Sequence, residues 1–454
     1  MNSDTPDPRE PHLVLDLALR AGEVLLSGGA GASSVTATCT QIAEAGGLHR
    51  VECDITYTSL SLSGHPSPDD VAPVTSMRLV HQREIDYTRV TAVHNVVSGF
   101  LAGRFGRAEA TRRLDAVATS RHPYPRAVVT AARATLAASV AVLLGAGPVV
   151  TGAAFAATVL IDLANGVLGR AGVPTFYQNA LGGAIATATA VALVTAGTGI
   201  HPALVVAGGI VLLLPGVTLV GAVQDAITGF YVTASARTFE TFLLTAGIIS
   251  GVAATLSVAV RLGLPVRIGD PPLPGLDRIP WQLLAAAVVS ASFAVANFAP
   301  RRTVPTAGLA GAVGWAVFVT VDWLRLPPAL ASATAAVVIG VGALLFAHRQ
   351  QVPTLVYVAG GIIPLLPGLA IYRGLRHLAE GDMLAGVSLL GQAVSTGLAL
   401  AAGAILGEFL AQAVGRTDAR LLRRLAGLRP AGPPRWRRRP PDRTAGGRSR
   451  SSAP

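Results

Sequence analysis

Asp162 is a carboxylate in one of the most apolar stretches of the chain, VLIDLANGVLGR. It precedes Arg170 by eight residues, which is about 12 Å along a helix, so it is predicted to lie near the middle of a bilayer. Asn165 follows three residues later and shares its helix face. Ionisable groups in hydrocarbon are costly and are retained mostly where they bind protons or charged substrates. Asp162 and Asn165 therefore form the first candidate site, with a structural hydrogen bond between helices as the alternative.

An apolar segment of ten residues occurs twice, as AGGIVLLLPG from Ala207 and as AGGIIPLLPG from Ala359, and eight of the ten letters agree. Proline in an apolar helix removes one backbone hydrogen bond and frees a carbonyl that protein or cavity water must satisfy. Each segment is therefore predicted to break its helix beside an internal cavity, where amide groups of the next turn can receive a carboxylate. A kink that only helps packing is the alternative. The residues that close these segments are Pro215, Gly216, Pro367 and Gly368.

A third group of charges follows the first of these segments, in QDAITGFYVTASARTFET. Asp225, Arg237 and Glu240 are predicted to emerge at the inner membrane surface, either as a gate of the cavity or as an interfacial loop. Arg237 and Glu240 are three residues apart and can pair with each other on a helix. Asn297, in a later apolar segment, is a neutral polar group that either lines a path or joins two helices by hydrogen bonding.

The composition indicates the elements that must position these residues. Hydrophobic residues make up 51% of the 454 residues and charged residues 13%, whereas soluble domains carry about 25% charged residues. Ten apolar segments follow the first 125 residues, which predicts a polytopic α-helical membrane protein of about ten transmembrane helices. The segments are 127–146, 149–169, 177–198, 202–223, 241–260, 281–299, 304–324, 327–347, 353–373 and 385–413.

The two copies of the repeated motif lie in the fourth and ninth segments, five crossings apart. An odd number of crossings reverses the direction of the chain, so the copies predict an inverted repeat of five plus five spans, as in many secondary transporters. The predicted membrane halves cover residues 126–262 and 281–414. A stretch rich in proline and glycine, 263–280, is predicted to be the linker between them.

Residues 1–125 are predicted to form a separate cytoplasmic α+β domain, because charges occur throughout and no apolar run is long enough to cross a bilayer. Ser33 or Ser34 is predicted to cap its second helix. Residues 415–454 are predicted to be a disordered basic tail near anionic lipid. A nucleic-acid-binding tail is disfavoured, since Trp436 is its only aromatic residue. An even number of crossings puts both termini on one side, and the tail and the large domain favour the cytoplasm.

The sequence contains no HExxH, GxSxG or P-loop pattern, and no cofactor or metal-binding motif. Four stretches together resemble the threonine/serine exporter family, and the resemblance covers residues 11–414. They are LALRAGEVLLSGGAGASSV, DYTRVTAVHNVVSGFLAGRFGRAEATRRLDAV, LLLPGVTLVGAVQDAITGFYVTASAR and GGIIPLLPGLAIYRGL.

This resemblance implies about ten spans in the cytoplasmic membrane, and export of threonine and serine in exchange for protons, driven by the proton motive force. A homo-oligomer is a further expectation. Two alternatives remain open from the residues alone. One is a membrane-tethered enzyme whose activity lies in residues 1–125, and the other is a passive channel for small polar solutes.

Overall fold

The computed structural model describes residues 9–80, 85–264, 278–379 and 381–414. The predicted tail at 415–454 lies outside the described residues, and so does most of the predicted linker at 263–280. The elements of the N-terminal domain are α1 (Glu10–Ser27), α2 (Ala32–Ala45), β1 (His49–Thr56), β2 (Ser59–His65), β3 (Val74–Leu79), α3 (Tyr87–Leu101) and α4 (Arg107–Ala118).

The three strands form one antiparallel sheet in the order β1-β2-β3. β1 and β2 are joined by a two-residue turn in which Tyr57 has a φ of 49°. Leu60 and Leu62 of β2 are fully buried and pack in the same core as Leu15 and Leu19 of α1. The sheet therefore has one face against the helices, and the domain has a hydrophobic core of its own.

In the described residues after the N-terminal domain, twelve α-helices follow in two groups. The first helix group consists of α5 (Arg126–Leu143), α6 (Pro148–Arg170), α7 (Thr175–Thr195), α8 (Pro202–Ile210), α9 (Gly216–Ile227) and α10 (Tyr231–Arg261). The second helix group consists of α11 (Ile279–Ala296), α12 (Val304–Trp323), α13 (Pro328–Gln350), α14 (Thr354–Ile362), α15 (Gly368–Ala379) and α16 (Met383–Val414).

Helices occupy all ten of the predicted apolar segments, and the fourth and ninth segments are each divided into two short helices. Among the described residues, seven helices are long and apolar enough to cross a membrane: α5, α6, α10, α11, α12 with the turn before it, α13 and α16. The protein is therefore a multi-pass membrane protein. α7 has 21 residues but begins with the polar sequence TFYQN, which lowers its apolar character.

The stretch QDAITGFYVTASARTFET is mostly helical, and it does not form the interfacial loop that was the alternative to a gate. α9 continues to Ile227, a short turn reverses the chain at Gly229, and α10 begins at Tyr231. Gly229 has a φ of 94°, which glycine adopts without steric cost. Arg237 and Glu240 therefore lie on the first turns of a helix of 31 residues.

Close contacts at glycine hold the long helices together. In the first helix group, a Cβ at Gly251 of α10 would lie 1.8 Å from the carbonyl oxygen of Ala180 in α7. In the second, a Cβ at Gly407 of α16 would lie 2.3 Å from the carbonyl oxygen of Val337 in α13. Small residues let helix backbones approach closely in membranes, where apolar side chains gain little from mutual burial. The same kind of contact therefore supports each helix group.

Candidate functional site

A cavity of about 890 Å³ lies between the two helix groups and is lined by residues of both. We call it the central cavity. Seven of the ten residues predicted from the sequence lie on its wall: Asp162, Asn165, Pro215, Gly216, Asn297, Pro367 and Gly368. Sequence reasoning missed other polar residues of the wall, including Arg133, Asn179, Gln282, Ser332 and Arg373.

The two repeated segments break their helices in the same way. α8 ends at Ile210 and α9 begins at Gly216, while α14 and a short 3₁₀ turn end at Leu365 and α15 begins at Gly368. The amide of Gly216 donates to the carbonyl of Leu214 at 2.8 Å, and the amide of Gly368 donates to that of Leu366 at 2.7 Å. Both prolines therefore stand at real interruptions of the helix.

The two breaks also contact each other at the wall of the central cavity. A Cβ at Gly216 would lie 2.7 Å from Cδ1 of Leu366, and a Cβ at Gly368 would lie 3.4 Å from Cδ1 of Leu214. Each glycine thus makes room for the leucine of the other break. The first turns of the two following helices also line the cavity, through Val217, Thr218, Leu369 and Ala370. A helix N-terminus presents amide groups and a partial positive charge, which favour an anion.

Asp162 is paired with a cation that the sequence reasoning overlooked. Arg133 of α5 donates from Nη1 to Oδ1 of Asp162 at 2.5 Å, and the hydroxyl of Thr130 donates to Oδ2. The side chain of Asp162 is 11% exposed, whereas that of Arg133 is 42% exposed. The carboxylate is therefore held in the wall, while part of the Arg133 side chain remains accessible. An arginine well inside the first apolar segment was the signal that could have found it.

Asn165 lies one turn along α6 from Asp162. Its Oδ1 atom is buried, and it has no hydrogen-bond partner among the described residues. A buried acceptor without a partner costs about 1–3 kcal/mol, so this atom is available to a donor that enters the cavity. Asp162 and Asn165 together give this part of the wall strong acceptor character.

The second helix group has a neutral contact where the first has an ion pair. Trp315 of α12 donates from Nε1 to Oε1 of Gln282 in α11 at 3.2 Å. Both side chains line the central cavity. This contact joins α11 to α12, as Arg133 and Asp162 join α5 to α6. Exposed Asp322, at the end of α12, adds a carboxylate to the wall.

Asp225 and Arg237 form a second buried ion pair, and it lies at the joint between the N-terminal domain and the first helix group. Nη1 of Arg237 is 2.9 Å from Oδ2 of Asp225, and the two side chains are 6% and 1% exposed. Arg237 thus pairs with Asp225, because the turn after α9 brings α10 back beside this carboxylate. Arg237 and Glu240 are not part of the described wall of the central cavity.

The same carboxylate caps a helix of the N-terminal domain. Oδ1 of Asp225 accepts a hydrogen bond from the backbone amide of Ala32 at 2.8 Å, at the first turn of α2. Arg237 donates to the carbonyl of Ala30 at 3.4 Å. The predicted cap by Ser33 or Ser34 is wrong, since α2 begins at Ala32 and Gly31 stands at the cap position without a side chain. Asp225 supplies the missing acceptor from another domain.

A buried hydroxyl provides a second attachment of the N-terminal domain to the first helix group. Thr233 at the start of α10 is fully buried and donates to the carbonyl of Ile55 at 3.0 Å. It also accepts from the amide of Tyr57 at 3.2 Å. The β1–β2 turn is therefore docked on α10.

The N-terminal domain reaches the second helix group through carbonyl oxygens. The amide of Tyr87 donates to the carbonyl of Asn297 at 3.0 Å, and that of Thr88 donates to Phe298 at 3.0 Å. The hydroxyl of Tyr124 donates to the carbonyl of Ala299 at 3.0 Å. Burial raises the pKa of Tyr124 more than nearby Arg301 lowers it, so the hydroxyl remains a donor. Asn297 thus connects the domain directly to the wall of the central cavity.

A helical membrane protein in which two broken helices meet at an internal cavity has the architecture of polytopic membrane transporters. Residues 16–259 match the family described as "Putative threonine/serine exporter", and residues 282–410 match the family described as "Threonine/Serine exporter, ThrE". The chain therefore belongs to the threonine/serine exporter family.

Two relatives are similar over most of their length. The "Probable threonine/serine exporter" of Mycobacterium tuberculosis is 37% identical over 409 residues, which cover 88% of this chain and 76% of that protein. The "Threonine/serine exporter" of Corynebacterium glutamicum is 35% identical over 419 residues, which cover 91% of this chain and 85% of the relative. No solved structure matches the chain.

Proposed function

We propose that this protein is a secondary active exporter of small amino acids, with threonine and serine as its substrates, driven by the proton motive force. The observation that carries the proposal is the central cavity, where the breaks of both repeated segments meet beside an ion pair. The relatives' names as threonine/serine exporters support this substrate class. Broken helices beside a substrate site are a recurring feature of secondary transporters.

The proposed exporter has ten crossings in an inverted repeat of five plus five, with both termini in the cytoplasm and the chain in the cell membrane. The helix lengths support this repeat. α8 and α14 each have nine residues, α9 and α15 each have twelve, and α10 and α16 have 31 and 32. The packing supports it as well, since α7 contacts α10 as α13 contacts α16, and α6 contacts α8 as α12 contacts α14.

Each part of the proposed domain arrangement has a role. The halves at 126–262 and 281–414 rock against each other around the central cavity, and the segment 263–280 links them. The cytoplasmic domain at 1–125 regulates this movement through its joint at Asp225, Arg237 and Glu240, which gates the cytoplasmic side. A smaller cavity of about 170 Å³, lined in part by Asp225, lies at this joint. The basic tail at 415–454 lies near anionic lipid.

Two features of the central cavity suit an amino acid. The N-termini of α9 and α15 add partial positive charge to the cavity that its carboxylate enters, and the acceptors Asp162 and Asn165 favour its ammonium group. Asp162 is also the proposed proton-binding group. A carboxylate on the transport path can bind a proton on one side of the membrane and release it on the other. A group that binds either a proton or the substrate gives exchange of one for the other.

Transport by the purified full-length protein in proteoliposomes tests the proposal. We expect an imposed pH gradient to drive accumulation of labelled threonine against its own gradient, and an uncoupler to abolish it. Serine should compete, whereas a large amino acid such as tryptophan should not. Equilibration of threonine that ignores both the pH gradient and the uncoupler would identify a channel. Absence of any amino-acid movement would reject the proposed function.

A further inference from the structure

We infer that the Arg133–Asp162 pair opens to receive a zwitterionic amino acid, whose carboxylate pairs with Arg133 and whose ammonium group pairs with Asp162. This inference rests on the proposed function and assigns the recognition of the substrate to one place on the wall of the central cavity. Both residues line the cavity, and they belong to different helices, α5 and α6.

The exposures of the two side chains suit unequal roles. Asp162 is 11% exposed and is fixed by the hydroxyl of Thr130, so its carboxylate stays in place when the pair opens. Arg133 is 42% exposed and lines the central cavity, so its long side chain has room to turn from Asp162 towards a ligand there. A guanidinium binds a carboxylate through two parallel hydrogen bonds, which fixes the orientation of the ligand.

The unpartnered Oδ1 atom of Asn165 completes the ammonium site. An ammonium group has three N–H donors and needs more than one acceptor. Asp162 supplies one acceptor, and Asn165, three residues further along α6, supplies another on the same side of the helix. The binding of an ammonium group therefore satisfies an atom that is buried without a hydrogen bond.

We call this replacement of the Arg133–Asp162 pair by two pairs with the ligand the ion-pair exchange. It explains why both charges of the ligand are needed. A zwitterion converts one ion pair into two, so neither Arg133 nor Asp162 is left without a counter-charge. A ligand with only an ammonium group leaves the guanidinium unpaired, and a ligand with only a carboxylate leaves Asp162 unpaired. Unpaired charges in a low-dielectric site are costly, so simple amines and simple acids are rejected.

The remaining charges of the described wall lie in the second helix group. Asp322 is exposed at the end of α12, and Arg373 lies on α15. Within the first helix group, Arg133 and Asp162 are the charged residues of the described wall. The exchange therefore takes place on the side of the central cavity that the first helix group forms.

Inhibition of threonine transport by three ligands tests the inference in proteoliposomes. The ligands are unlabelled threonine, threonine methyl ester, which lacks the carboxylate, and N-acetylthreonine, which lacks the ammonium group. With the wild-type protein we expect threonine to inhibit at about 10- to 100-fold lower concentration than either analogue, since each loses one charge-assisted contact.

The variants Arg133→Gln and Asp162→Asn each remove one partner. We expect Arg133→Gln to lose the preference for threonine over the methyl ester, and Asp162→Asn to lose the preference for threonine over N-acetylthreonine. Arg107→Gln is the matched control, because it breaks an ion pair with Glu10 in the N-terminal domain, far from the cavity wall. It should keep both preferences.

The outcomes separate this inference from the proposed function. If the wild-type protein moves no amino acid, the proposed function fails. If it transports threonine and both variants keep the wild-type preferences, only the ion-pair exchange is overturned. If the single variants do not fold, the exchanged pair Arg133→Asp with Asp162→Arg decides the matter. Retained preference for threonine over both analogues supports the inference, and loss of that preference in a folded protein overturns it.

Discussion

The two helix groups have similar frameworks but unlike chemistry at the central cavity. In the first, α5 and α6 are joined by a charged contact between Arg133 and Asp162. In the second, α11 and α12 are joined by a neutral hydrogen bond from Trp315 to Gln282. Trp315 lies 153 residues after Asp162, close to the spacing of 152 residues between the repeated segments. A spacing of 152 residues matches Asp162 with Gly314, the residue before Trp315. In the proposed repeat, an indole therefore stands next to the position where the other half has a carboxylate.

The same contrast recurs where the N-terminal domain meets each group. It attaches to the first through the buried Asp225–Arg237 pair and to the second through carbonyl oxygens of residues 297–299. Burying charge is costly unless the charge is paired, so charge is kept where it serves a purpose. The comparison teaches that the two described contacts made by ion pairs, at the cavity wall and at the joint with the N-terminal domain, belong to the first helix group, whereas the compared contacts of the second are neutral hydrogen bonds.

The largest effect is expected from Asp225→Ala. This change leaves Arg237 buried without its carboxylate and removes the cap of α2, so we expect the free energy of unfolding to fall by about 3–5 kcal/mol. Urea unfolding of the detergent-solubilised protein measures it. Glu10→Ala, which breaks an exposed pair with Arg107, is the control and should cost no more than about 1 kcal/mol. Equal losses in the two variants would contradict a special role for the buried pair.

The second prediction concerns the unlike contacts at the central cavity. Asp162→Asn keeps the size of the side chain but cannot carry a charge or a proton. We expect accumulation of threonine driven by a pH gradient to fall about 10- to 100-fold. Trp315→Phe removes one neutral hydrogen bond and should reduce accumulation by no more than about fivefold. Equal losses of threonine accumulation in the two variants would show that the contrast between the helix groups has no functional meaning.

The third prediction compares the two breaks. Gly216→Ala places a Cβ 2.7 Å from Leu366, so the leucine must shift, whereas Gly368→Ala places its Cβ at an ordinary 3.4 Å from Leu214. Overpacking costs about 1 kcal/mol or more, so we expect the initial rate of threonine transport to fall about fivefold in the first variant. The second should stay within about twofold, since no atom has to move. The reverse order would contradict the argument from these contact distances.

The smallest effect is expected from Tyr124→Phe, which removes the hydrogen bond to Ala299 in the second helix group. A single neutral hydrogen bond contributes about 0.5–1.5 kcal/mol. The same urea titration used for Asp225→Ala measures this loss. A loss as large as that of Asp225→Ala would place the main attachment of the N-terminal domain on the second helix group.

The sequence predicts the framework better than it predicts the partners. Proline and glycine in an apolar run report a local backbone break, so Pro215 and Pro367 were found without tertiary information. Arg133 was overlooked because a segment with a single charged residue still reads as apolar. That residue nevertheless supplies the ion-pair partner of Asp162. Asp225 accepts a hydrogen bond from the backbone amide of Ala32, which lies 193 residues earlier in the chain, and no local sequence pattern encodes such a contact. Contacts between distant elements depend on packing that local sequence does not contain.

The bond between Asp225 and Ala32 also sets an order of events during synthesis. The ribosome adds about 5–20 residues per second, so Asp225 is made about 10 to 40 s after Ala32. During this interval α2 lacks the carboxylate that caps it. The N-terminal domain therefore reaches its final fold only after α5 to α8 have left the ribosome and α9 has delivered Asp225. Completion of the N-terminal domain thus reports that the chain has been made as far as α9.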